Sequence, residues 1–492
     1  MWMLSHRSGL RQATPGITPV CWAWSLPGDS SDSWSALSSY GSSAVSRLGG
    51  LMRCRRSSSV RGPWLVLLAC AIVAAPFGTA AHAGDGGPGA LDMTFGQDGL
   101  VVTDLGGLDF GAAIAVGSRI VAAGSVQASV EGLPPRDMAL VAYQLDGSLD
   151  PSFGDGGVVV EDFDEFDTPV DVELDDEGRV LVLVSAGGSS DTRGAVLARY
   201  RADGTLDASF GDGGLVDVGT DLYPVDVVLE PDGKIVVAAR DPIVLSRYLP
   251  DGQPDPGFGE SGRVITSLGT PNDWPIALAV RPNGALLVIA RTAFLLNEDE
   301  GEFDLALLEY RRGGSLDRSF GEEGVVRRHI PDWHIVVDGG VAPNGTIVVL
   351  VSAWGGSSFC SSSYGRQTLW RFRRGGGLDT SFGGDGRARS NTLNARGIAL
   401  QANGRILVMG EGCIDLDDPE MDLAFSLARY RPDGSLDERF GTDGTIVHLI
   451  EGEFAQPGDM VLQSNGRALV VGNTTDAAFT GGDLAVARYI AA

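Results

Sequence analysis

One phrase recurs seven times along this chain and limits what the chain can fold into. It reads LDMTFGQDG (91–99), LDPSFGDGG (149–157), LDASFGDGG (206–214), PDPGFGESG (254–262), LDRSFGEEG (316–324), LDTSFGGDG (378–386) and LDERFGTDG (436–444). Its phenylalanines, Phe95, Phe153, Phe210, Phe258, Phe320, Phe382 and Phe440, are separated by 58, 57, 48, 62, 62 and 58 residues. A period of that length marks supersecondary units that bury a core only against their neighbours.

Each unit has the same internal order. In the second, TPVDVEL (168–174) leads into the turn DDEG (175–178) and then RVLVLVSA (179–186). A variable loop, AVLARYR (195–201), the phrase and LVDV (215–218) follow. Short β-branched runs between Gly-rich turns predict four strands per unit. No window carries a sustained helical stripe. The leading hairpins hold Asp232-Gly233, Asn283-Gly284, Asn344-Gly345, Asn403-Gly404 and Asn465-Gly466. These pairs supply the positive φ that two-residue turns demand. The third strand ends on an aromatic in every unit: Tyr143, Tyr200, Tyr248, Tyr310, Phe372, Tyr430 and Tyr489. Arg precedes it in five (Arg199, Arg247, Arg371, Arg429, Arg488), which predicts an ion pair with the Asp of the phrase; Ala142 and Glu309 break the pattern. With 43% apolar residues, the chain has the material for a large core.

Seven four-stranded units predict an all-β fold, a seven-bladed β-propeller, because radial repetition hides sheet edges. Segment 99–105 has the character of a fourth strand, and the chain ends on a third-type strand, 483–490. The last blade, built from about 455–490, is therefore expected to be completed by the strand at 99–105. A parallel β-helix is the alternative fold, although its repeat is usually shorter. The pattern Y-x-x-D-G-x-L-D-x-x-F-G-x-x-G, as at 200–214, resembles the delta-sixty repeat family of exported bacterial proteins. The resemblance covers 91–492 and departs at Pro254 and at the shortened first hairpin, Gly117-Ser118. It implies a propeller and export, and it implies no reaction.

Residues 52–83 carry a basic start (Arg53, Arg55, Arg56, Arg61), an apolar run from Trp64 to Ala75 and the small-x-small site Ala81-His82-Ala83. This is the pattern of a secretory signal peptide, with an apolar run too short for a comfortable membrane span. The expected organisation is a gene-model extension or disordered segment at 1–51, a signal at 52–83 with Met52 as initiator, and the propeller at 84–492. The product is expected to be periplasmic, extracellular or at the cell surface, with no transmembrane anchor after cleavage.

The formal net charge is −27, and residues 84–492 hold 30 basic against 62 acidic residues. A body this acidic repels phosphate backbones and anionic lipid, which argues against nucleic acid as a partner. Cations, glycans and protein surfaces remain.

Function concentrates where repeats differ. The loops that enter the innermost strands hold Asp109-Phe110, Asp167-Thr168, Leu222-Tyr223, Asp273-Trp274 and Asp332-Trp333. Candidate ligand-binding residues are thus Asp109, Asp167, Asp273, Trp274, Asp332, Trp333 and His334, since carboxylates and aromatic faces suit a sugar or a cation. The competing reading is that these tryptophans only pack the first turn of their strands. Asp171, Asp226 and Asp459 stand at equivalent inner-strand positions and are candidate metal ligands, with solvated repeat positions as the plainer reading. Calcium at the phrase aspartates is a weaker candidate. One Asp per loop falls short of the six or more oxygens calcium takes, so Asp is expected to cap the turn, Phe to fill the space between blades and Gly to allow the bend. No other cofactor is expected. Cys360 and Cys413, in variable loops of adjacent units, are a candidate disulfide in an oxidising compartment. No HExxH, CxxC or GxSxG motif occurs, and residues 84–492 hold three histidines, His329, His334 and His448. The resulting expectation is a monomeric, non-enzymatic binding or interaction platform that engages a protein or glycan through its acidic variable-loop face. The alternative is a metal-dependent, lactonase-like hydrolase with its site in the central channel.

Overall fold

The computed structural model describes residues 86–127, 135–187, 193–220, 222–240, 242–270, 273–294, 302–330, 334–353, 367–390, 394–413, 423–450, 453–476 and 482–492. Cys360 lies outside them, as does the side chain of Cys413, so the proposed disulfide does too. Every regular element among the described residues is a β-strand. After β1 (Leu100–Thr103) the strands come in fours. The first unit is β2–β5 (Leu108–Val116, Ile120–Gln127, Arg136–Tyr143, Val158–Glu161). The second is β6–β9 (Phe166–Leu174, Val180–Gly187, Arg193–Tyr200, Leu215–Thr220) and the third β10–β13 (Tyr223–Leu229, Ile235–Arg240, Ile243–Tyr248, Arg263–Thr266). The fourth is β14–β17 (Asp273–Val280, Leu286–Phe294, Glu302–Tyr310, Val325–His329) and the fifth β18–β21 (His334–Val341, Ile347–Ala353, Gln367–Phe372, Arg387–Ser390). The sixth is β22–β25 (Asn394–Leu400, Ile406–Cys413, Leu423–Tyr430, Thr445–His448), and β26–β28 (Glu453–Leu462, Arg467–Asp476, Gly482–Ile490) close the chain.

Consecutive strands within a unit pair antiparallel. The last unit has three strands of its own, and β1 takes the fourth place. It pairs antiparallel with β28, from Leu100 opposite Ala487 to Thr103 opposite Leu484. Around this pairing Asp92 N–H donates to Arg488 O (2.8 Å) and Arg488 N–H to Gly99 O (2.9 Å). The first strand of each unit packs against the first strand of the next, and β26 packs against β2. The apolar core lies between units. Val121, Leu140 and Phe153 of the first meet Val172, Val182 and Tyr200 of the second in one cluster. Likewise Leu427 and Phe440 of the sixth meet Val470 and Tyr489 of the last.

The recurring phrase is a joint. In the second unit Asp207 Oδ1 accepts from Ser209 N–H (3.2 Å) and Ser209 Oγ (2.7 Å), which caps the turn. Asp207 Oδ2 takes the Arg199 guanidinium at 2.7 Å, and that guanidinium lies 4.4 Å from the centre of the buried Phe210 ring. Arg199 Nη1 also donates across the seam to the Pro250 carbonyl. Gly211 sits at φ 53°, where a Cβ would collide with the Leu215 carbonyl, and its N–H reaches Asp251 O in the third unit (2.8 Å). Burial works against ionisation of Asp207, but the Ser209 and Arg199 contacts prevail and hold its pKa at about 2.

The predicted Arg–Asp pairs are present: Arg247–Asp255 (2.8 Å), Arg371–Asp379 (2.9 Å), Arg429–Asp437 (3.0 Å) and Arg488–Asp92 (3.0 Å). Where the pattern breaks, another guanidinium arrives. Arg119 pairs with Asp150 (3.0 Å) and lies over Phe153, replacing the Arg that Ala142 lacks. Arg281 lies over Phe320 and pairs with Glu309 (2.9 Å), leaving Asp317 to Arg311 (3.0 Å).

Candidate functional site

Antiparallel order puts the hairpin turns and the phrases on one face, and the starts of the innermost strands on the other. The first strand of each unit has a β-bulge, between Gly111/Ala113, Pro169/Asp171, Pro224/Asp226, Pro275/Ala277, Val336/Asp338, Ala395/Gly397 and Pro457/Asp459. The bulge fixes two sets of carboxylates, one before it and one after it.

Asp109, Asp167 and Asp273 all stand two residues before the bulge and are fully buried, at 0%, 0% and 1% exposure. Each Oδ2 accepts a backbone N–H from the loop that enters its strand: Leu105 (2.6 Å), Phe163 (2.6 Å) and Leu268 (2.5 Å). These carboxylates thus hold the chain where it crosses from one unit to the next. Asp332 and Trp333 lie outside the described residues. The bulge register corrects their alignment: His334, two residues before Val336, holds the place of Asp109. His334 is half-buried. Trp274 is half-buried, with the Arg291 guanidinium 4.1 Å and the Arg240 guanidinium 5.1 Å from its ring. Its faces are therefore engaged by cations of the chain itself. Burial and Arg240 together lower the Arg291 pKa to about 10.

Asp171, Asp226 and Asp459 follow the bulge and are half-buried. Each reaches the next unit. Asp171 Oδ2 accepts from Val227 N–H (3.1 Å), Asp226 Oδ2 from Leu278 N–H (2.6 Å) and Asp459 Oδ2 from Ile114 N–H (3.0 Å). They are staples between innermost strands and not merely solvated positions. Asp338 belongs to the set, accepting from Ile398 N–H (2.7 Å), and was missed because the Pro-x-Asp spelling of its equivalents reads Val-x-Asp here. Glu173, also missed, feels Asp171 and Asp459. Burial first, and then neighbouring carboxylates, lift Glu173 to about 8 and Asp459 to about 7, while burial lifts Asp338 to about 6. Asp171 and Asp226 act on each other: burial pushes Asp171 up, and burial and Asp171 push Asp226 well up. On the opposite face, a cleft of about 310 Å³ lies between the second and third units, beside Arg179, Arg199 and Glu230.

A family profile described as "Domain of unknown function (DUF5122) beta-propeller" matches residues 178–210 and 230–258. No curated protein matches the chain. Among solved structures, a protein of unknown function from Dyadobacter fermentans aligns over 80% of this chain and 100% of its own, at 12% identity and a TM-score of 0.39. A PL25 ulvan lyase aligns over 80% and 96%, at 12% identity and 0.38. A gluconolactonase from Xanthomonas campestris aligns over 82% and 94%, at 14% identity and 0.32. The described residues are all-β, and the profile that matches part of the chain is described as a beta-propeller.

Proposed function

We propose that the chain is an exported, seven-bladed propeller of delta-sixty repeats, closed by β1, that serves as a binding platform for a protein or glycan. The binding surface is the face where the innermost strands begin. The observation that supports this reading is a contrast in charge pairing. On the phrase face, every repeated Asp has an Arg partner, from Asp92–Arg488 through Asp437–Arg429. On the other face, the charges acting on Asp109 are Asp104 and Asp483, and those acting on Asp167 are Asp162 and Asp137. Negative potential at these two seams draws cationic groups and steers their approach. Probing a glycan array and a panel of cationic peptides with the full chain tests this. A binder is expected whose affinity falls with salt and falls further in D164K/E165K, a reversal of two exposed charges on that face. No binder, or one indifferent to that reversal, overturns the platform.

The second reading is a hydrolase with its site among Asp171, Glu173, Asp226 and Asp459. The upward push on both Asp171 and Asp226 favours it, since a protonated and an ionised carboxyl side by side can serve as acid and base. Turnover of a lactone or ester panel that D226N abolishes would replace the first reading with this one.

A further inference from the structure

The seam between the last unit and the first carries a cluster whose geometry the turn-holding role of Asp109 does not explain. Asp104 follows β1, Asp109 lies in β2 and Asp483 lies in β28. One oxygen from each lies within 4.8 Å of the others. Asp104 is exposed, with Oδ1 accepting from Gly106 N–H (2.7 Å), and Asp483 is half-buried. Asp109 is 0% exposed, and its Oδ1 is buried without any hydrogen-bond donor. A buried carboxylate oxygen with no donor is costly unless something positive meets it.

Two comparisons within the molecule indicate what that something is. At the next seam Asp162, Asp167 and Asp137 occupy the same three positions, and Asp167 Oδ1 is again buried without a donor. At the seam before the fourth unit, Asp273 holds the place of Asp109, and the register puts Ser267 and Pro242 where Asp104 and Asp483 stand. There Thr270 Oγ1 donates to Asp273 Oδ1 at 2.5 Å. Where the neighbours are not acidic, the chain supplies a hydroxyl. Where they are acidic, it supplies no donor and adds two more carboxylates. A guanidinium is the chain's remedy on the phrase face, and none is among the charges acting on Asp109.

We infer that Asp104, Asp109 and Asp483 form a site for a hard divalent cation, calcium by preference. Three carboxylates from three strands give an all-oxygen set, which selects calcium or magnesium over softer metals. Exposed Asp104 leaves the remaining coordination positions open to water, as calcium with six to eight ligands needs. The cation would join β1, β2 and β28, the strands where the two ends of the chain meet. This site differs from the calcium reading of the phrase, where Asp207 Oδ1 serves the turn and Oδ2 serves Arg199. It needs no glycan or protein partner, so a chain that binds calcium and no peptide or glycan keeps this inference and loses the platform.

Isothermal titration calorimetry of the full chain, stripped with a chelator and titrated with calcium chloride, tests the site. Saturable binding is expected, with D104N and D483N each removing one site or weakening it by about tenfold or more. D176N, a change to an exposed carboxylate in the turn after β6 on the opposite face, is expected to leave it intact. Because Asp104 is exposed, D104N decides the matter even if D483N fails to fold. Absence of saturable binding at millimolar calcium, or affinity and stoichiometry that D104N leaves unchanged, overturns the inference.

Discussion

Two aspartates of this chain do opposite work, and substitution with Asn separates them. Asp437 is almost fully buried among Arg429, Arg405 and Arg431, and with these contacts its pKa lies below the ordinary value despite burial. It is ionised at neutral pH, and Arg429 has been desolvated to meet it. Asp226 is pushed well above the ordinary range by burial and by Asp171, which favours its protonated form. D437N strands a buried guanidinium and is expected to cost about 3–5 kcal/mol. D226N keeps an acceptor for Leu278 N–H and offers Asp171 an amide donor in place of the hydroxyl, so its cost is expected to stay under about 1 kcal/mol. Urea unfolding at neutral pH checks both. Equal destabilisation by the two variants would mean that Asp226 is not protonated.

At the scale of strands and loops, the repeat made much of the fold legible. The runs expected at 168–174 and 179–186 are β6 and β7, and the segment expected to pair with the C-terminal strand is β1. Turn chemistry and β-branched runs are local signals, so sequence carries them. The bulges were not anticipated, although Pro169, Pro224, Pro275 and Pro457, each without an N–H inside a strand, mark four of them. Missing the bulge misplaced Asp332 and hid Asp338. The Asp104, Asp109 and Asp483 cluster was out of reach for a different reason. Asp109 was visible as a loop-mouth residue, but Asp483 reaches it only because the chain ends meet. The Arg–Asp–Phe joint was half legible: the pairs could be read from spacing, and Arg119 holds a repeat position shared with Lys234, Arg405 and Arg467, which also reach a phrase Asp, while Arg281 has no basic counterpart in the other units. A prediction belongs to this scale. Deleting residues 86–105 removes β1 and bares the edge of β28, whose backbone groups then seek another chain. Size-exclusion chromatography is expected to show oligomers or aggregate for the deletion under conditions where the full chain is monomeric. A monomeric deletion with an unchanged melting temperature would show that β1 does not hold the last unit.

For the molecule as a whole, the two sets of carboxylates dictate an unusual response to pH. Asp109 and Asp167, lifted to about 6 chiefly by burial, join Asp338 (about 6), Asp459 (about 7) and Glu173 (about 8) in binding protons more tightly folded than unfolded. For a carboxyl raised in this way, the cost to stability is fully present above its folded pKa. That cost fades as pH falls and is absent below the unfolded value near 4. The phrase aspartates have the opposite sign. Asp207 and Asp317, held at about 2, stabilise above the unfolded value and lose that contribution as pH drops toward 2. Stability is therefore expected to rise as pH falls from about 8 to about 5, and to collapse between about 4 and 2. General repulsion within a chain of net charge −27 acts in the same direction over the upper range. Molar salt screens exposed charges and leaves buried ones, so the rise from pH 8 to 5 that survives in high salt belongs to the seam and inner-strand carboxylates. Melting temperatures across this range in low and high salt check the account. A curve in high salt that climbs steadily from pH 5 to pH 8 would mean that these carboxylates are ionised at no cost, and would remove the physical basis of the acid–base pair.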